Sequence, residues 1–267
     1  MIDKKKLDQL YDYYDSREWV HPDPLEFLYE YPSLQDREIV ALIASSLAYG
    51  RVIQILKSVS IILDRMGDSP LNFIKSASYN SLHSMFKGFI HRFTTGKDIV
   101  LMLLGIKHVI NKYGSLYECF LIGMRDHGES ILQPLSFLVN KLCEPLNGNN
   151  NILLPLPGKG SACKKLNLFL RWMVRKDNVD PGGWDKVDPS RLIIPLDTHM
   201  HRICSMLGMT CRKGADMRTA LEITKAFRKL APEDPVKYDF ALTRLGIRAD
   251  SDLETFLKNA KSIRFSS

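Results

Sequence analysis

The chain has 267 residues, 45% hydrophobic and 25% charged, the composition of a globular protein with an ample core, and its five scattered cysteines (119, 143, 163, 204, 211) lack the CxxC pair of a zinc or iron-sulfur centre. Its longest strongly apolar run, IVLMLLGI at 99–106, is short of the roughly 20 residues that cross a bilayer, and no apolar stretch follows the lysines of MIDKKKLDQL, so a cytoplasmic protein without signal peptide or membrane contact is expected. The net charge is +7, yet residues 1–40 carry ten acidic and five basic side chains, a net of −5; the remainder holds +12, which favours a polyanionic partner.

Nearly every periodic stretch has helical spacing. Residues 1–35 read as an acidic N-terminal helical extension, and residues 36–267 as the main domain. In SLQDREIVALIASSLAYG (33–50) Ser33 and Asp36 form a capping box ahead of Ile39, Leu42, Ile43 and Leu47 on one face. RVIQILKSVSIILDRM follows and stops before GDSP; KDIVLMLLGIKHVINKYG (97–114) ends on a glycine. Residues 127–143 read as another helix, and EPLNGNNNILLPLPGKG (144–160) breaks the pattern where two helical lobes would meet. Helices follow over about 161–176, 197–208, 216–230, 235–246 and 251–262. With no alternating strand pattern, the chain reads as all-α.

The first stretch with chemistry is LPLPGKGSACKKLNLFLRWMVRK (154–176). Gly158 and Gly160 permit a tight turn, and Ser161 is a good N-cap. Such a turn points several N–H groups at one place, where a phosphate can sit. Six basic residues, Lys159, Lys164, Lys165, Arg171, Arg175 and Lys176, occur between 159 and 176 without an acidic one, so the segment is expected to lie on a nucleic-acid backbone. By helical phase Ala162, Leu166, Leu170 and Met173 face the core; Lys164, Arg171 and Arg175 fall on the opposite side, and Lys165 at the stripe's edge.

In PLDTHMHRICSMLGM (195–209) Met200, Ile203, Cys204 and Leu207 form an apolar helix stripe. His199 and His201 then point about 200° apart and cannot chelate one metal on a regular helix. Asp197 sits at the N-cap, its carboxylate kept ionised by the helix N-terminus.

A Leu-Pro-Gly-x-Gly turn paired with a downstream Leu-Asp-Thr-His that opens a helix resembles the helix-hairpin-helix DNA glycosylase superfamily, which includes endonuclease III and the archaeal 8-oxoguanine glycosylases. The similarity spans roughly residues 36–250. The stretch from GKGSACKKLNLFLRWMVRKD through LIIPLDTHMHRICSMLGM to PEDPVKYDFALTRLGI is more similar still to a bacterial family of conserved hypothetical proteins. What the resemblance implies is two helical lobes joined through a helix-hairpin-helix motif. Pro157, Gly158, Lys159, Gly160 and Ser161 would grip DNA phosphate, with Arg171, Arg175 and His199 beside them. A lysine just after the turn would attack the sugar C1′, and Asp197 would assist. IVALIASSLAYGRVIQIL (39–56) resembles the family's helix leading to the DNA-inserting loop, which would place Tyr49, Gly50 and Arg51 near the extruded nucleotide; KYDFALTRLG offers Asp239 for contact with the base.

Three departures accompany the likeness. Ala162 holds the position where the turn is usually followed by the lysine, the four-cysteine cluster of endonuclease III is absent, and Lys164 precedes Asp197 by 33 residues, a spacing closer to the archaeal enzymes. Both Lys164 and Lys165 therefore stand as nucleophiles, Lys164 the preferred one by phase. The expected activity is excision of a damaged, 8-oxoguanine-like base from double-stranded DNA, with or without AP lyase activity, by a nucleoid-associated monomer that needs neither metal nor other cofactor. A non-catalytic helix-hairpin-helix DNA-binding protein and a metal-dependent hydrolase are the alternatives.

Overall fold

Short polar side chains open most of the helices by accepting a hydrogen bond from the first turn. In the computed structural model, which describes residues 3–125, 130–146, 151–247 and Phe256, Asp3 caps α1 (Lys4–Tyr14) and Ser33 caps α2 (Leu34–Ser46). α3 (Val52–Met66) ends at Gly67; Ser69 caps α4 (Pro70–Ser76) and Ser78 caps α5 (Tyr79–Met85). A two-stranded antiparallel hairpin, β1 (Ile90–His91) and β2 (Thr94–Thr95), then leads into α6 (Gly96–Tyr113), α7 (Leu116–Met124) and α8 (Leu132–Cys143). The second half holds α9 (Lys164–Val174), α10 (Thr198–Met206), α11 (Met217–Arg228) and α12 (Asp239–Ile247). Apart from that hairpin the elements of the described residues are helical, an all-α fold. The helix expected over 251–262 lies outside the described residues except for Phe256, as does the start of the one expected from 127.

Central placement of α2 follows from its composition. Every residue from Glu38 to Ser46 is buried, because IVALIASS offers small or apolar side chains on all sides. It packs against α3, α4 and α7 on one side and against α9 and the 3-10 turn Pro24–Glu30 on the other. The predicted capping box is only half formed. Ser33 Oγ accepts from Asp36 N, but the Asp36 carboxylate turns away to Leu71 N at 2.8 Å and Ser69 Oγ at 3.2 Å, tying α2 to α4.

Glu38, buried at the centre of α2, accepts from Leu116 N at 2.7 Å, Tyr117 N at 3.0 Å and Trp184 Nε1 at 3.3 Å. Two of these are the orphan donors of the first turn of α7. The third belongs to an indole stacked on Tyr117 and packed against Phe120 and Phe169, so one carboxylate joins α2, α7 and the segment after α9.

Residues 3–35 are stitched to the rest of the molecule. α1 packs on α12, where Asp8 meets Lys237 Nζ at 3.1 Å and Tyr238 Oη at 2.7 Å. Tyr29 donates to Val179 O, and Tyr11 to Asp177 at 3.0 Å. No single helix among the described residues is long and apolar enough to cross a membrane; α6 and α7 pass that test only as a pair bent by 67°.

Replacing Glu38 by Ala strands three donors in the core. Glu38→Ala should destabilise the fold by about 3 kcal/mol, read from the shift in urea midpoint at unchanged slope.

Candidate active site

The turn before α9 is built from two left-handed residues, Gly160 (φ 86°) and Cys163 (φ 48°). This delays the helix: α9 begins at Lys164, three residues later than expected. Ser161 is therefore not its cap, and its hydroxyl accepts from Cys163 N at 3.2 Å instead. The turn is tethered to α11 by Met217 N to Gly160 O at 3.1 Å and by a bridge between Ser161 and Asp216. Gly158, Lys159, Gly160 and Ser161 are exposed, whereas Pro157 is buried and anchors the turn from beneath.

Beyond its first two residues α9 is enclosed on every side, with Leu166 through Val174 all buried. The expected placement of Arg171 and Arg175 on a nucleic-acid backbone is corrected accordingly. Arg171 binds Asp180 through Nε at 3.1 Å and Nη2 at 2.9 Å, and Asp239 through Nη1 at 2.7 Å. Arg175 pairs with Asp180, with Asp234 at 2.8 Å and with Asp177 at 2.7 Å. A guanidinium buried at 4% exposure must be neutralised where it lies, and these carboxylates do so. Burial works against the Arg171 charge, but Asp180 and Asp239 more than offset it and hold its pKa above the ordinary value.

The two lysines at the start of α9 open onto a cleft of about 750 Å³. Lys164, Lys165, Asp197, Tyr49, Gly50, Asp239, Arg171 and Ser161 all line it, so residues picked from separate stretches of sequence converge. Lys164 Nζ lies 3.5 Å from Asp197 Oδ2 and donates to Ala48 O at 3.0 Å. Asp197 acts as the expected N-cap at the same time, its Oδ1 accepting from Met200 N at 2.8 Å. Lys165 Nζ sits 4.2 Å from the centroid of the Tyr49 ring, and burial together with the Lys164 charge pushes its pKa down to about 8.

Tyr49 is itself held by the β-hairpin. Its hydroxyl donates to His91 O at 3.1 Å and shares a 2.6 Å hydrogen bond with Thr94 Oγ1. His91 returns a contact through Nε2, 3.1 Å from Tyr49 O, and lies 2.9 Å from Ser58 Oγ through Nδ1. Gly50 is left-handed (φ +100°), and a Cβ there would lie 2.8 Å from Arg92 Cδ, so the hairpin closes tightly over this turn. Arg51, exposed at the start of α3, stands outside the cleft lining.

Asp239 is buried in the cleft lining. Burial pushes its carboxyl up to about 6, with Arg171 opposing the shift. His199 does not face outward as a DNA contact would: its Nε2 is buried and would lie 2.2 Å from a Cβ at Gly246 of α12. His201 Nε2 instead lies 2.8 Å from Arg212 O, so the two imidazoles diverge as helical phase requires.

The wall that sequence reasoning missed comes from the N-terminal part. Trp19, His21, Pro22, Asp23 and Pro24 line the cleft together with Phe240 and Arg244 of α12. Arg244 fixes them, binding Val20 O at 2.9 Å and Asp23 Oδ2 at 2.7 Å. The charge of Arg244 and its place on a predicted helix were visible; a partner more than two hundred positions away was not.

A family model described as protein of unknown function (DUF2400) matches residues 23–248. No curated protein and no solved structure matches the chain.

Two outcomes follow from these positions. Arg175→Ala leaves three aspartates around an empty site and should cost about 3–5 kcal/mol of stability in chemical denaturation. Lys165 should titrate near 8 when reductively methylated lysines are followed by carbon-13 NMR, with the resonance identified by its loss in Lys165→Arg.

Proposed function

The chain belongs to the DUF2400 family, and we propose that it is a helix-hairpin-helix DNA glycosylase with AP lyase activity, removing a damaged, 8-oxoguanine-like base from double-stranded DNA. The observation that carries this reading is the meeting of Lys164 with Asp197, 3.5 Å apart at the edge of a cleft of about 750 Å³. An amine and a carboxylate brought together beside a cavity large enough for a nucleotide are the two groups that displacement at a sugar carbon requires.

A base inside a duplex cannot be reached, so the nucleotide is extruded into the cleft. The exposed residues 158–161 of the turn hold backbone phosphate through their N–H groups and Lys159. As the glycosidic bond lengthens, ionised Asp197 stabilises the positive charge growing on the sugar. Neutral Lys164 attacks C1′: the Nζ–C1′ bond forms, the C1′–N bond breaks, and the base leaves with the bonding electron pair and gains a proton. Loss of a proton from nitrogen and opening of the sugar ring give a Schiff base, from which β-elimination cleaves the strand. Asp239, with its pKa near 6, lines the part of the cleft that receives the base. The protein works as a monomer on nucleoid DNA and draws on no cofactor in these steps.

A second reading keeps the chemistry and exchanges the lysines. It is favoured by the depressed pKa of Lys165, which leaves more neutral amine near pH 8 than an ordinary lysine has.

Borohydride trapping on duplexes containing an abasic site or 8-oxoguanine tests both readings. A covalent adduct should form with the wild type, vanish in Lys164→Ala and persist in Lys165→Ala. Asp197→Asn should slow its formation about 100-fold. Loss in Lys165→Ala alone would move the nucleophile one residue along, and the absence of an adduct or excised base on any damaged duplex would refute the enzyme.

A further inference from the structure

The hairpin that holds Tyr49 has an unusual outer surface. Phe93 at its tip is 75% exposed and Ile90 71% exposed, both among the most exposed large apolar side chains of the molecule. Between them Arg92 adopts a left-handed conformation (φ 52°), its guanidinium 5.6 Å from the Phe93 ring centroid. Arg51, Lys87, Arg92 and Lys97 are exposed on this hairpin and the segments flanking it. No acidic residue occurs between 69 and 97 or between 50 and 63. The first acid beyond, Asp98, accepts from Thr95 N at 2.8 Å and Thr95 Oγ1 at 2.7 Å, closing the N-terminus of α6.

An exposed phenylalanine on a short, well-anchored turn costs hydration free energy and contributes nothing to the core. The hairpin is nevertheless fixed in place. His91 and Thr94 are buried and bonded to Tyr49, and Arg92 packs against Gly50, so the hairpin backs two residues of the cleft lining. A flat aromatic face among cations, without carboxylates, is complementary to nucleic acid: the cations meet phosphates and the ring meets a base.

We propose that the 90–95 hairpin is a nucleic-acid contact surface in which Phe93 stacks on a base left without its partner while Arg92 and Lys97 neutralise backbone phosphates. This rests on the DNA reading above and extends it to an element that contributes no group to the cleft chemistry. Because Tyr49 lies between the hairpin and Lys165, the same contact holds the cleft wall against the DNA.

The test is fluorescence anisotropy with a labelled duplex carrying a stable abasic analogue opposite 2-aminopurine, beside the intact duplex, over a range of salt. Phe93→Ala should weaken binding to the abasic duplex about tenfold, leave binding to the intact duplex unchanged and abolish the change in 2-aminopurine emission. Arg92→Gln and Lys97→Gln should weaken both duplexes and each flatten the salt slope by about 1. Both phosphate contacts and the ring are at the surface, so melting temperatures should match the wild type. Wild-type affinity and emission in all three variants would overturn the hairpin surface while leaving the glycosylase reading standing. No duplex binding by the wild type, or binding of phosphatidylserine vesicles in its place, would overturn both.

Discussion

Two guanidinium groups lie in the middle of this protein, and the carboxylates that neutralise them arrange the second half of the chain. Arg171 on α9 and Arg175, the residue that ends it, face Asp177, Asp180, Asp234 and Asp239. Charges removed from water require partners at hydrogen-bonding distance, so this pairing fixes where the loop after α9 runs and where α12 begins. α12 in turn fixes the N-terminal part through Arg244 and, just before the helix, through Lys237 and Tyr238. Part of the acidity of the first 40 residues thereby acquires a structural explanation: Asp8, Asp23 and Glu38 each bind donors from distant parts of the chain.

The same network sets the chemistry at the other end of α9. Anchoring the helix along its length leaves Lys164 and Lys165 at its N-terminus, where the helix dipole is unfavourable to cations. Two adjacent ammonium groups in that position need compensation. Lys164 finds it in Asp197 and Ala48 O, while Lys165 has the Tyr49 ring and a pKa lowered to about 8 by burial and by its neighbour. Asp239 belongs to both systems, because one carboxylate closes the ion network and also lines the cleft.

Periodicity located the helices that bury a single strong stripe. α3, α6, α10 and α11 fall close to their expected ranges, with Gly67, Gly114 and the N-caps Asp197 and Asp216 at their ends. The short helices α4 and α5 and the hairpin were beyond its reach, since seven residues span barely two helical turns, too few for an apolar stripe to repeat, and two-residue strands offer a single alternation. Phase misplaced Arg171 and Arg175 for a different reason. It identifies the face richest in apolar side chains but not whether the opposite face is solvated, and partners 59 and 68 positions away decide that. Likewise, the N-cap role of Asp197 follows from local sequence, whereas its approach to Lys164 came from family likeness and required the tertiary fold to be seen.

The two shifted groups in the cleft pull the proposed activity in opposite directions along the pH axis. Protonation of Asp239 below about 6 makes the lining more positive and favours an anionic ligand. Loss of a proton from Lys165 above about 8 removes a cation from the lining, which in the proposed reaction weakens phosphate binding and leaves an uncharged amine at Lys165. The proposed phosphate binding gains on the acid side, and the proposed amine chemistry, with Lys165 as nucleophile, on the alkaline side. Between the two values Asp239 is mostly ionised and Lys165 mostly charged, so the cleft lining holds both charges over that range and an uncharged Lys165 amine, which the second reading requires, is the scarce species there.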